Sequence, residues 1–114
     1  MSSNALFIGW NRAVPGREKA SLEHFAEFIS YLGGLKSAGK IEGFDPVMLN
    51  AHGGDMNGFV VVRGQPAKLG ELQTSDEFET HVTRAVINMQ GMGVIGAAVG
   101  DEIPSRMAKM QKYL

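Results

Sequence analysis

The chain contains no cysteine, which excludes disulfides, thiolate metal sites and cysteine nucleophiles. It also lacks an excess of either charge. Eleven Lys and Arg against twelve Asp and Glu leave a net charge of −1, with no general pull toward nucleic acid or anionic lipid. No apolar run approaches the length needed to cross a bilayer. Met1-Ser2-Ser3-Asn4 lacks the basic start and apolar stretch of a signal peptide. A cytoplasmic setting is therefore expected, with neither membrane nor nucleic acid as partner. The three histidines, His24, His52 and His81, never fall at a tight ligand spacing such as His-x-His. No metal site is expected, and His24 and His81 are expected to be surface or half-buried residues of helices. What remains is ordinary for a folded protein: 44% apolar residues, 20% charged residues and 114 positions, enough for one domain over 1–114.

The middle of the chain, Lys40 to Gly64, organises the rest. Two runs able to form strands, Ile41–Leu49 and Gly58–Arg63, flank a polar loop carrying His52, Gly53, Gly54, Asp55 and Asn57. Gly-Gly, Asn-Gly and Asp supply the turn chemistry of a β-hairpin. Pro46 removes a ladder donor and confines its strand to a sheet edge or bulge. Phe59-Val60-Val61-Val62 is apolar toward both faces, as a central strand covered on both sides would be.

Ahead of the hairpin, Ala5–Trp10 reads as a buried strand. Pro15 suits the first position of a helix, with Glu18 in its first turn. Leu22, Phe25, Ile29 and Leu32 recur at steps of three and four, and Gly39 is the expected left-handed cap after about Ala38. After the hairpin, Pro66–Gln73 is a short helical turn. Thr74-x-x-Glu77 is a capping-box pattern opening a helix through about Val86. Met92–Val99 alternates as a last strand, and Pro104–Leu114 places Met107, Met110 and Leu114 on one side of a short helix. That terminal helix also carries Arg106, Lys109 and Lys112; it is marginal alone and needs something to dock on, its own dimer above a membrane. Gly91-x-Gly93-x-x-Gly96 is not a nucleotide fingerprint, because it follows a helix and sits in a strand.

The order β-α-β-β-α-β plus a tail is the ferredoxin-like pattern, an α+β fold with a four-stranded antiparallel sheet and both main helices on one face. The opposite face is then apolar and uncovered, which implies a homodimer joined sheet to sheet. Val14-Pro15-Gly16-Arg17-Glu18 after the first strand resembles the corresponding stretch of the dimeric α/β-barrel superfamily, which includes small monooxygenases and muconolactone-type isomerases. Gly9-Trp10-Asn11-Arg12 and His52-Gly53-Gly54-Asp55 with Asn57-Gly58-Phe59 are similar to a group of short, uncharacterised bacterial proteins. The resemblance implies the fold and the dimer, and it brings no reaction or cofactor with it.

In this topology the end of the first strand, the start of the first helix and the hairpin loop share one rim. Asn11, Arg12, Arg17, His52 and Asp55 are expected to approach one another there. Arg12 beside a helix start suits an anionic group, and His52, oriented by Asp55, can exchange protons. The alternative is that Asp55 and Asn57 shape the turn and Arg12 pairs with Glu18 or Asp55. Tyr31, Trp10 and Phe28 can line a pocket between helix and sheet, though aromatics at helical spacing are more often core. The expected function is binding of a small organic ligand, anionic or aromatic, between helices and sheet or at the rim near residues 50–58. The alternatives are a cofactor-free monooxygenase or isomerase, with His52 and Asp55 catalytic and Asn11, Arg12, Arg17 and Tyr31 binding, or a purely structural dimer.

Overall fold

The computed structural model describes residues 3–114; Met1 and Ser2, which belong to the start without signal-peptide features, lie outside them. The strands are β1 (Ala5–Trp10), β2 (Arg12–Ala13), β3 (Gly43–Met48), β4 (Gly58–Arg63), β5 (Met89–Gln90) and β6 (Gly93–Ala97). The helices are α1 (Glu18–Ser37), α2 (Pro66–Gln73), α3 (Asp76–Asn88) and α4 (Glu102–Gln111). The main sheet is antiparallel in the order β3-β4-β1-β6. Pro46 thus lies on an edge strand, where its missing N–H is harmless.

Alternation across β1 and β4 divides the sheet into two faces. Leu6 faces Val62 and Ile8 faces Val60, and all four are buried under the helices with Phe28, Leu32, Leu35 and Phe78. The intervening residues, Phe7, Phe59 and Val61, point the other way. Phe7 and Phe59 stack there with ring centroids 5.1 Å apart, and Ile95 on β6 is 65% exposed. Gly9 makes the stack possible, since a Cβ at that position would lie 2.7 Å from the Phe7 ring.

Strand β3 runs from Gly43 to Met48 rather than from Ile41 to Leu49, and α3 reaches Asn88 rather than about Val86. Four further boundaries differ from the sequence reading, each for a local reason. Helix α1 starts at Glu18 rather than Pro15. Gly16 has φ +87°, and the Arg17 N–H donates to the Val14 carbonyl at 2.8 Å, so Pro15-Gly16 is the corner of a turn. The cap of α3 is Ser75 rather than Thr74: Ser75 Oγ accepts from the Phe78 N–H at 3.3 Å, while Thr74 donates back into α2. Strand β6 stops at Ala97, because the next residues have no strand opposite them. Val99 is held by the Asn4 side chain instead, through both its N–H and its carbonyl. Helix α4 starts at Glu102 with Pro104 in its first turn, where no N–H is needed. The end of α1 is as expected. Gly39 has φ +74°, and Lys40 and Gly39 donate to the Leu35 and Lys36 carbonyls.

Ser75→Ala removes the one side-chain cap of α3 and is expected to lower stability by about 1 kcal/mol, read from the urea midpoint. No change in midpoint would mean that helix packing alone sets the start of α3.

Candidate functional site

Helices α1 and α3 lie on the sheet and enclose a cavity of about 360 Å³ at the end of β1 that carries Trp10. Its walls are apolar: Ile8 and Trp10 from the sheet, Leu22, Phe25 and Phe28 from α1, Val82 and Ala85 from α3, with Met48, Met89 and Met92 nearer the rim. Trp10 meets Phe25 edge to face at 5.5 Å. Gly58 lets the indole lie flat on the sheet, since a Cβ there would fall 2.5 Å from the ring.

Few polar groups converge on this space, and backbone and side-chain hydrogen bonds place them. The two-residue ladder of β2 with β5 pairs Arg12 with Gln90 and Ala13 with Met89. The Asn88 carbonyl at the end of α3 accepts from the Val14 N–H at 2.8 Å and from Ser21 Oγ at 3.0 Å, tying β2, α1 and α3 together. Asn11 Oδ1 accepts from Asn57 Nδ2 at 2.6 Å, which fastens the hairpin loop to the same corner.

The most distinctive polar feature is an imidazole pair. His24 on α1 and His81 on α3 stack at 5.3 Å between centroids, and His24 Nε2 shares a hydrogen bond with His81 Nδ1 at 3.0 Å. Contrary to the expectation of a surface or half-buried residue, His24 is only 4% exposed. The Tyr31 ring packs on His81 at 4.5 Å. Burial is the largest cause lowering both imidazoles below the ordinary value of 6.5, and the Arg84 guanidinium adds to it. Glu27 opposes this for both rings and Glu77 for His81, less strongly. Burial also pushes the Tyr31 phenol up. Two neutral rings joined by one hydrogen bond can accept a further hydrogen bond without carrying charge, and taking up a proton turns one of them into an imidazolium.

The rim residues named from sequence divide into two groups. Asn11 and Arg12 line the cavity, and Arg12 Nε donates to Asn11 Oδ1 at 3.4 Å rather than forming either ion pair seen among the described residues. Arg17 occupies the N-cap position of α1 and is exposed. Tyr31 lines a smaller hollow of about 270 Å³ beside Leu35 and Leu72. His52 and Asp55 lie on the exposed loop, outside the cavity lining. Both ring nitrogens of His52 are used within that loop. Nδ1 accepts from the Gly54 N–H at 3.1 Å, so Nε2 carries the proton and donates to the Met56 carbonyl at 2.6 Å. Sequence reasoning missed the pairing of His24 with His81. The available signal was that both sit on core-facing helices, 57 positions apart. Among the described residues no three His, Cys, Asp or Glu gather in a way that could hold a metal.

No family model and no curated protein sequence matches the chain. Solved structures do. A Bacteroides fragilis protein, described as dimeric, of unknown function and ferredoxin-like in fold, is 10% identical with a TM-score of 0.58, over 87% of this chain and 100% of its own. PA3566 from Pseudomonas aeruginosa is 16% identical with a TM-score of 0.60, over 88% and 97%. SnoaB, a cofactor-independent oxygenase from Streptomyces nogalater, is 13% identical with a TM-score of 0.52, over 88% and 98%.

The sign of the pH dependence follows from the imidazoles. In the unfolded chain they take up protons near 6.5, and in the fold only at lower pH, so the unfolded state binds more protons between the two values. The pair's contribution to stability is complete above the unfolded value and lost as pH falls through the folded one. Urea midpoints from about pH 8 to about pH 5 should fall on the acid side, and the double variant His24→Leu/His81→Leu should flatten that slope. An unchanged slope in the variant would assign the acid sensitivity elsewhere. With its sheet order, its helices on one face and these structural neighbours, the chain has a ferredoxin-like fold.

Proposed function

We propose that this protein binds a small, largely apolar organic molecule with an acidic hydroxyl, in the cavity between α1, α3 and the sheet, as a cytoplasmic homodimer. The observation that carries this reading is an apolar cavity of about 360 Å³ whose wall holds a hydrogen-bonded histidine pair. Cavities of this size with a few convergent polar groups are the usual form of small-molecule sites. Trp10, Phe25 and Phe28 offer ring faces and edges to a planar ligand. Arg12 and Asn11 at the rim suit an anionic or carbonyl substituent. In this reading His52 and Asp55 set the hairpin loop that Asn57 fastens to Asn11, and the proton chemistry belongs to His24 and His81.

A second reading, catalysis without a cofactor, is favoured by that same pair. An imidazole held neutral in an apolar wall can take the hydroxyl proton of a bound phenol, leaving a phenolate and an imidazolium, which is the first step of general-base chemistry. SnoaB is described as a cofactor-independent oxygenase of this fold, but fold alone does not carry an activity from one chain to another.

The homodimer rests on the apolar sheet face bearing Phe7, Phe59, Val61 and Ile95, which no helix among the described residues covers. Sedimentation should show a dimer, and Ile95→Asp should shift it to monomer with the far-ultraviolet spectrum retained. A dimer unaffected by Ile95→Asp would move the interface off this face.

Trp10 is the only tryptophan and lines the cavity, so it reports occupancy directly. Titration with a nitrophenol should quench its emission saturably, and Ala85→Phe, which fills the space, should abolish the quenching. Absorbance of the bound probe separates the two readings. Conversion to nitrophenolate that disappears in His24→Leu/His81→Leu supports the proton-accepting pair, whereas quenching without conversion supports binding alone. Absence of saturable quenching by any phenol would sink the aromatic-ligand reading.

A further inference from the structure

His24 and His81 differ in where they stand. Both line the cavity, but His24 on α1 is buried while His81 on α3 is half-buried. Tyr31 lies against His81 with ring centroids 4.5 Å apart, and Tyr31 and Glu77 belong to the wall of the smaller hollow. That hollow also holds Lys40, Lys68 and Glu71. The pair therefore runs from an apolar cavity toward a polar recess at the surface.

The bond between the rings uses one nitrogen from each, Nε2 of His24 and Nδ1 of His81. The other two, His24 Nδ1 and His81 Nε2, bond to no protein group among the described residues, and neither is a buried atom. A neutral imidazole carries a proton on one nitrogen and a lone pair on the other. When His24 donates to His81, His24 Nδ1 is therefore a bare acceptor for a hydroxyl in the cavity. His81 then carries its proton on Nε2, the nitrogen on its far side from His24.

This environment does not favour a proton that stays. Burial opposes an imidazolium at either ring, and Arg84 on α3 opposes it further. Glu27 on α1 pulls the other way for both rings and Glu77 on α3 for His81, each more weakly than burial. A base placed here works best if it hands on the proton it takes.

We propose that the pair is a two-ring proton outlet for the cavity: His24 Nδ1 takes the hydroxyl proton of a bound ligand, His24 Nε2 gives its proton to His81 Nδ1, and His81 Nε2 gives its own to water. The ligand is left as its anion and one hydronium leaves. Both rings end neutral, with their protons on Nδ1 instead of Nε2. The reverse moves restore the first arrangement when the ligand leaves. This inference rests on the cavity reading above and gives the two rings different parts. His24 touches the ligand, and His81 acts through His24. The outlet removes a proton from an apolar space without admitting water to it.

The test uses meta-nitrophenol near neutral pH, where the free probe is mostly protonated, and protein with nitrogen-15 in its histidines. Nitrogen shifts separate bare, protonated and imidazolium forms. Without probe, both rings should carry the proton on Nε2. With the probe bound as nitrophenolate, both should be neutral with the proton on Nδ1. Nitrophenolate beside an imidazolium would overturn the outlet and leave the pair as a simple base. Saturable quenching of Trp10 without nitrophenolate would overturn the outlet and leave binding alone. Absence of saturable quenching would remove the outlet and the cavity reading together. His81→Phe keeps an aromatic ring between His24 and Tyr31 but offers no nitrogen. It should retain the quenching and slow nitrophenolate formation by about a hundredfold in stopped flow. Formation at the wild-type rate in this variant would overturn the route through His81. Should the variant not fold, the nitrogen shifts of the wild-type protein decide by themselves.

Discussion

A β-strand sends alternate side chains to opposite faces, and the whole structure depends on that constraint acting at β1 and β4. Leu6, Ile8, Val60 and Val62 go to the helix side and form the floor of the core. The same alternation forces Phe7, Phe59 and Val61 to the other side, where no helix among the described residues covers them. One set of apolar residues builds the core, and the other is what the proposed homodimer rests on. A substitution that moved the β1 register by one residue would exchange the two sets and lose both surfaces at once.

The cavity is a product of how the helices close over that floor. Helices α1 and α3 are joined where the Asn88 carbonyl collects the Val14 N–H and the Ser21 hydroxyl, and again through the Glu27–Arg84 ion pair. Between these ties the side chains facing the sheet are Phe25, Phe28, Val82 and Ala85, and the small Ala85 leaves space that no neighbour fills. The histidine pair stands at the edge of that space, where burial makes charge costly and a shared proton is the cheaper arrangement. Geometry and chemistry therefore come from one packing choice, a small residue on α3 opposite large ones on α1.

Much of this was legible in the sequence. The edge position forced by Pro46, the left-handed Gly39 and the two-faced β4 each reflect a local rule that the fold obeys. The stripe of α1 is turned from the one read in sequence: Leu32 is buried as expected, but Leu22 is 67% exposed and the buried face is His24, Phe28, Leu32 and Leu35. The features that escaped have a common cause. Pro15-Gly16 and Thr74-Ser75 each offer two local solutions, and a neighbour decides between them: the left-handed Gly16 in one case and the preceding helix α2 in the other. The ladder of β2 with β5 is two residues long, too short for any periodic signal. At the site, Asn11 and Arg12 could be placed because topology alone puts the end of the first strand at the rim. The link between His24 and His81 depends on the rotation of two helices about their axes, which is set by packing and carries no mark in the spacing of the residues. His52 looked reactive for its neighbours in sequence, and those neighbours turn out to hold it: the Gly54 and Met56 backbones use both of its nitrogens.

The sheet order also sets a timetable. β1, made before the other five strands described, lies between β4 and β6, and its second neighbour is not complete until Ala97 has been made. Until then, one side of β1 has no partner, and before β5 is made the cavity also lacks Met89 and Met92. Contacts this distant in sequence close late, because the loop entropy must be overcome before any of them forms. The cavity is thus among the last features a new chain acquires, and a ribosome-bound or truncated chain ending before β6 would present the apolar strand β1 without the edge that shields it.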